Sequence, residues 1–154
     1  MTYAKRTKVS VDQSRTEIER LVNKAGATAF SYAANQSKAQ IQFELQDRVV
    51  RFLLPFPSLD EIKKQDKRST TIVQREDLRE QAIRARWRAL KICILAKLES
   101  MQAGIEAFEE AFLGQIVDPA SNRTVYEALA PRLAERYADN PRPLALPAPE
   151  DVTA

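Results

Sequence analysis

Between Thr71 and Val117 the chain carries its longest unbroken helical pattern, and no proline interrupts it. The apolar residues Trp87, Leu90, Ile94, Leu98, Met101, Ile105, Phe108 and Phe112 are spaced three or four apart, which gathers them into one narrow stripe. A helix over 75–113 would be about 58 Å long, against a radius of gyration near 15 Å for a compact domain of this size. Such a rod must overhang, bend at Gly104 or pack against a second chain. Its charges are sorted as well: Arg75, Arg79, Arg84, Arg86, Arg88, Lys91 and Lys97 come first, then Glu99, Glu106, Glu109 and Glu110. This order opposes the helix dipole, which favours acids at the N-terminus and bases at the C-terminus, so something other than local helix stability must account for it.

The rest of the chain is short enough to pack around this helix. Lys5, Arg6 and Lys8 make residues 1–12 a basic arm, with Val9 and Val11 leaving a short edge strand as the other reading. Ser14 and Glu17 have capping-box spacing, and Ile18, Leu21, Val22 and Ala25 share a face before Gly26, so a short helix is expected over 14–25. Period two then takes over. Phe30 and Tyr32 lead to a turn at 35–37, Ala39, Ile41, Phe43 and Leu45 alternate with polar residues, Asp47 and Arg48 turn again, and Val49 to Leu54 ends at Pro55 and Pro57. A meander with one apolar face must be covered by helices. Residues 58–70 read as an exposed connection. A second capping box, Thr124 to Glu127, opens a helix containing Val125, Leu129 and Leu133, which Pro131 should kink or restart.

The expected fold is therefore α+β: a three-stranded antiparallel meander covered on one face by a short N-terminal helix and the long central helix, plus a C-terminal helix. A single domain over 13–138 follows the arm, and a Pro-rich disordered tail occupies 139–154. Ile18, Leu21, Phe30, Ile41, Phe43, Phe52, Trp87, Ile94, Leu98 and Ile105 should form the core.

Val50 to Pro55, Arg84 to Leu90 and Phe108 to Leu113, read with the early capped helix and the glutamine-spaced meander, resemble a group of small proteins encoded by phages, prophages and their bacterial hosts. The resemblance spans about residues 8–135. It implies a single α-β-β-β-α domain and a mobile-element setting, either phage DNA metabolism or interference with a host process. No activity or site residue comes with it.

Catalytic equipment is scarce. The sequence has no histidine, which removes the commonest general base and transition-metal ligand. Cys93 is the only cysteine, so neither an intramolecular disulfide nor a Cys₂ or Cys₄ zinc site can be built, and it reads as a buried or half-buried inert thiol. Glu106, Glu109 and Glu110 lack partners from other helices for a metal site, and the three glycines are too far apart for a phosphate loop. No enzyme, cofactor or metal is expected. No run of about 18 apolar residues and no signal-peptide pattern occur, so a cytoplasmic protein without a membrane partner is expected.

Charge is the stronger signal. The net +3 conceals 20 Lys/Arg against 11 Asp/Glu in residues 1–97, and 4 against 10 in residues 98–154. Arg84, Arg88 and Lys91, spaced four and three, form a ridge that could track phosphates with Lys5, Arg6 and Lys8. The bland counterpart is that arginine stems cover the flanks of the core and pair with Glu76, Glu80 or the acidic half. The outer sheet face, with Ser31, Gln40, Gln42, Glu44 and Arg51, offers no aromatic for base stacking. With the setting the resemblance implies, the pattern points to a non-enzymatic accessory protein that binds nucleic acid through phosphate contacts, or alternatively to a protein-interaction module on a host or phage complex. A homo-oligomer is also expected, through antiparallel pairing of two long helices along Leu98 to Phe112.

Overall fold

A computed structural model describes residues 8–68 and 71–140. Its centre is an antiparallel meander of β1 (Ala29–Ala34), β2 (Lys38–Leu45) and β3 (Arg48–Pro55), in the order β1-β2-β3. Strict alternation sets the register, with Phe30 opposite Phe43, Ile41 opposite Phe52 and Phe43 opposite Val50. One face thus gathers Ala39, Ile41, Phe43, Leu45, Val50 and Phe52, all buried. Phe30 is only half-buried because β1 is an edge strand. The β2–β3 turn is Gln46–Asp47, one residue earlier than expected. Both have positive φ, 48° and 59°, as a two-residue turn matched to strand twist requires. Asn35 closes the other turn, its Oδ1 accepting the Ser37 and Lys38 amides at 2.8 and 3.0 Å.

Helix α1 (Val11–Lys24) starts earlier than the Ser14 box suggested and takes Val11 and Asp12 from the expected arm. Ser10 is the cap, accepting the Gln13 amide at 3.1 Å. Ser14 instead faces inward, its buried hydroxyl without a hydrogen-bond partner. Val11, Ile18 and Val22 share one face, and packing Val11 against the core carries the helix a turn further back. At the other end Gly26, with φ 104°, lets the Gly26 and Ala27 amides return to Asn23 and Val22.

The stretch 58–70 is not a plain connection. Ser58 and Glu61 form a capping box, starting α2 (Leu59–Gln65), whose Ile62 is buried. Thr71 and Gln74 form another at the head of α3 (Ile72–Gln102). At 31 residues α3 is about 46 Å long. It buries Trp87, Leu90, Ile94 and Leu98 against the sheet and α1, but it stops short of the expected 113. Gly104, with φ 75°, ends it. The Gly104 amide bonds to Met101 and the Ile105 amide to Ser100, which satisfies carbonyls the helix leaves open. Ile105, expected in the core, is 76% exposed on this turn.

The chain then doubles back into α4 (Phe108–Phe112), which brings Phe108 and Phe112 over the sheet. This break also resolves part of the charge order, although α3 itself still runs from Arg75 to Glu99. Glu109 and Glu110 belong to the first turn of a separate helix, where acids are favoured, and not to the end of a long one. A 3-10 turn (Leu113–Gln115) leads to β4 (Val117–Asp118) and β5 (Arg123–Thr124), a two-stranded hairpin beside β3. Arg51 on β3 holds that hairpin, donating to the Asn122 carbonyl at 2.9 Å and to its side chain at 2.8 Å.

Helix α5 (Val125–Asp139) follows its Thr124 cap and runs through Pro131 without interruption. Proline cannot donate to the Glu127 carbonyl one turn back. The Arg123 guanidinium donates to that oxygen instead, at 2.6 Å.

Candidate functional site

The structure brings Arg88 and Lys91 together, but around a carboxylate of their own chain. Glu17 on α1 faces α3, with Arg88 Nη1 at 2.5 Å and Lys91 Nζ at 3.7 Å from the same oxygen. Gln13 Nε2 donates to the other Glu17 oxygen at 3.2 Å. All three charged side chains are at least 70% covered, so they seal the α1–α3 seam. Arg84, one turn earlier on α3, is half-buried and makes no ion pair among the described residues. Lys8 is exposed ahead of α1, while Lys5 and Arg6 lie outside the described residues.

Burial pushes the Glu17 carboxyl up, but hydrogen bonds from Gln13 and Arg88, with the charges of Arg88 and Lys91, outweigh it and hold the group below the usual glutamate range. A carboxyl lowered by folding stabilises above its unfolded pKa, near 4.3, and that contribution disappears as pH falls through the lower folded value. Glu17→Gln should therefore cost about 1 kcal/mol at pH 7. The difference from wild type in urea midpoint should narrow below about pH 4. An equal difference at pH 7 and pH 3 would contradict the ion pair.

Several other cations of the basic half are also bonded within the chain. Arg79 donates to the Pro57 carbonyl at 2.9 Å and to that of Gln36, and Arg86 donates to Pro55. These carbonyls cluster at one end of the sheet, and two arginines two helical turns apart tie that end to α3. Arg48 pairs with Glu109 at 3.0 Å, and Lys97 donates to the Ala111 carbonyl at the end of α4 at 2.6 Å. The partners of these arginines are thus mainly backbone carbonyls and Glu17; of the pairing expected with Glu76, Glu80 or the acidic half, Arg48–Glu109 is the instance the structure shows.

Three cations without such partners lie where the sequence suggested only a connection. Lys63, Lys64 and Lys67, on and just after α2, are exposed and make no ion pair or side-chain hydrogen bond among the described residues, while Arg68 pairs with Asp66 at 3.4 Å. Lys64, Lys67, Arg68 and Arg86 rim an open groove of about 950 Å³ between α2 and α3, floored by Ala82 and Ala85. The signal that could have located it is Ser58-Leu-Asp-Glu61, a capping box directly after Pro57.

The other open surface is on α5, none of whose residues is buried. Tyr126 is 67% exposed, Leu129 48%, Leu133 47% and Tyr137 53%, and with Ala130 they form one stripe along the helix. The sequence contained this stripe; it gave no sign that the described residues leave its tyrosines and leucines about half exposed or more. Cys93, expected buried or half-buried, is exposed on α3. Among the described residues no group of three His, Cys, Asp or Glu side chains could hold a metal ion, and no helix is long and apolar enough to cross a membrane. Compared with protein-family models, curated proteins and solved structures, the chain has no match.

Proposed function

We propose that this chain is a non-enzymatic interaction module, acting in the cytoplasm in a phage or mobile-element setting, whose partner is a protein bound along α5. The observation that carries this reading is the stripe of two tyrosines and two leucines, each about half exposed or more among the described residues, on a helix that buries none of its own residues. A water-facing helix of ordinary composition would have placed charges there. Capture from nuclease-treated host lysate tests it. A protein retained by the wild type should be lost with Leu133→Glu and kept when Lys63, Lys64 and Lys67 are changed to Ala.

A second reading, nucleic-acid binding through phosphate contacts, is supported by the unpaired lysines beside the α2–α3 groove together with Lys8, and no longer by Arg88 and Lys91, which Glu17 engages. Under it, log K for duplex DNA should fall with log salt, and removing the three α2 lysines should flatten the slope by about 2.7. Absence of binding to both duplex and single-stranded probes at about 50 mM salt would exclude this reading.

A further inference from the structure

The inner stripe through Leu98, Phe108 and Phe112, expected to pair two chains, is buried in the chain's own core. The outer side of α3 is different. There Leu78, Ala82, Ala85 and Ala89 are half-buried and lie about 150° round the helix from Trp87, Leu90, Ile94 and Leu98, forming the floor of the groove against α2. Three of these four residues project only a methyl, so a chain laid in the groove comes close to the helix.

The rim is charged with one sign. Lys64 and Lys67 stand on the α2 side, and Arg86 on the α3 side is fixed by its bond to the Pro55 carbonyl. Asp66 is the one acid among the described lining residues, and Arg68 engages it through its amide at 3.0 Å and Nε at 3.4 Å. Lys64, Lys67 and Arg86 therefore face the groove with no ion pair among the described residues, beside an apolar floor where an opposite charge is less well screened than in open water.

Size and lining narrow the occupant. From Leu78 to Ala89 the floor runs about 16 Å, so a volume of about 950 Å³ leaves a cross-section of about 60 Å². A helix with its side chains is about 10–12 Å across and is too wide, whereas an extended segment of about five residues fits. Gln65 on α2 and Gln81 on α3 line the same groove, and their side-chain amides match the donor and acceptor of a peptide group. No aromatic ring lines it to stack a base, which disfavours a nucleic-acid strand.

We infer that the α2–α3 groove holds an extended acidic segment of a partner protein, its small or leucine-sized side chains on the alanine floor and its carboxylates toward Lys64, Lys67 and Arg86. This goes beyond the α5 reading, uses other elements and does not depend on it. The chain's own residues 141–154 match less well, since Arg142 offsets one of Glu150 and Asp151 and leaves a net charge of −1.

Fluorescence anisotropy of the full chain tests this with a labelled peptide of about ten residues that alternates glutamate with leucine and alanine, its glutamine counterpart, and an oligothymidylate of equal length. At about 50 mM salt the glutamate peptide should bind with a dissociation constant of about 100 μM, and the glutamine peptide at least about 10-fold more weakly. Lys64→Ala combined with Lys67→Ala should weaken the glutamate peptide about 10-fold. Ala85→Phe fills the floor and should have an effect of similar size with the thermal melt unchanged; if that variant melts early, Ala89→Gln fills the same floor with a good helix former. Binding indifferent to both floor substitutions assigns the lysines to open surface and overturns the groove. So does failure to saturate by about 2 mM. Oligothymidylate that binds more tightly than the peptide, and is weakened by the same substitutions, gives the site to nucleic acid and refutes the proposal. A gain of at least about 10-fold for the peptide on removal of residues 141–154 gives the groove to the chain's own tail and removes the partner. Leu133→Glu should leave peptide affinity unchanged. Loss of peptide binding in that variant places the contact on α5, which overturns the groove while the α5 reading stands.

Discussion

Phe112→Ala should lower the free energy of unfolding by about 3–5 kcal/mol, one of the two largest effects expected for a single substitution in this protein. Phe112 is fully buried at the point where α4 meets the sheet. Its ring meets Phe43 edge-on at 6.1 Å and Phe52 at 6.4 Å, and packs against Phe108 at 5.4 Å, so truncation leaves a cavity lined by three aromatic rings. Lys97 Nζ lies 5.7 Å from the ring centre while bonding the Ala111 carbonyl, so the link between α3 and α4 should loosen too. Collapse cannot easily fill the space, because α4 is only five residues long and held by Phe108 and Phe112 themselves. Ile105→Ala is the control. It removes a side chain of the same apolar stripe in sequence, but one that is 76% exposed, and should change stability by less than about 0.5 kcal/mol. Urea unfolding of both variants decides the matter: a loss below about 1 kcal/mol for Phe112→Ala, or above about 2 for Ile105→Ala, would mean the chain does not double back at Gly104.

Pro131→Ala should have the opposite sign and a different reach. An interior proline costs a helix up to about 3 kcal/mol relative to alanine, through the lost amide bond and the clash with the carbonyl four residues back. In α5 the Arg123 guanidinium recovers part of this by donating to Glu127. The stabilisation should appear as slower amide exchange over residues 132–139, by a factor approaching about 100, and not as a comparable shift in global urea midpoint, because α5 buries nothing and can open on its own. A double-mutant cycle isolates the arginine. Arg123→Ala should weaken protection of α5 in the wild type by about 1 kcal/mol and should have a much smaller effect beside Pro131→Ala, where the new amide takes the Glu127 oxygen. Equal effects in the two backgrounds would show that Arg123 acts elsewhere.

Much of the fold was present in the amino-acid order because it depends on local periodicity. Alternation from Ala39 to Leu45 by itself determined which face of β2 is buried, since a one-residue slip would turn every side chain over; it left a two-residue slip open, and the Gln46–Asp47 turn decided the β2–β3 register. Spacing of three and four determined that Trp87, Leu90, Ile94 and Leu98 share the inner face of α3. Tertiary structure decided what periodicity could not. Phe108 and Phe112 remain in phase with α3, so the pattern reads straight through Gly104, and only the gain from setting those rings over Phe43 and Phe52 turns the chain back. Helix α2 is too short for its single buried anchor, Ile62, to display a period at all. For the charges the gap is wider. Arg88 looked like half of a phosphate ridge because its partner, Glu17, lies 71 residues away and meets it only when α1 packs on α3. The α5 stripe has the same spacing as a core stripe, and which of the two it becomes depends on whether the rest of the chain reaches it, a long-range property that no window of sequence contains.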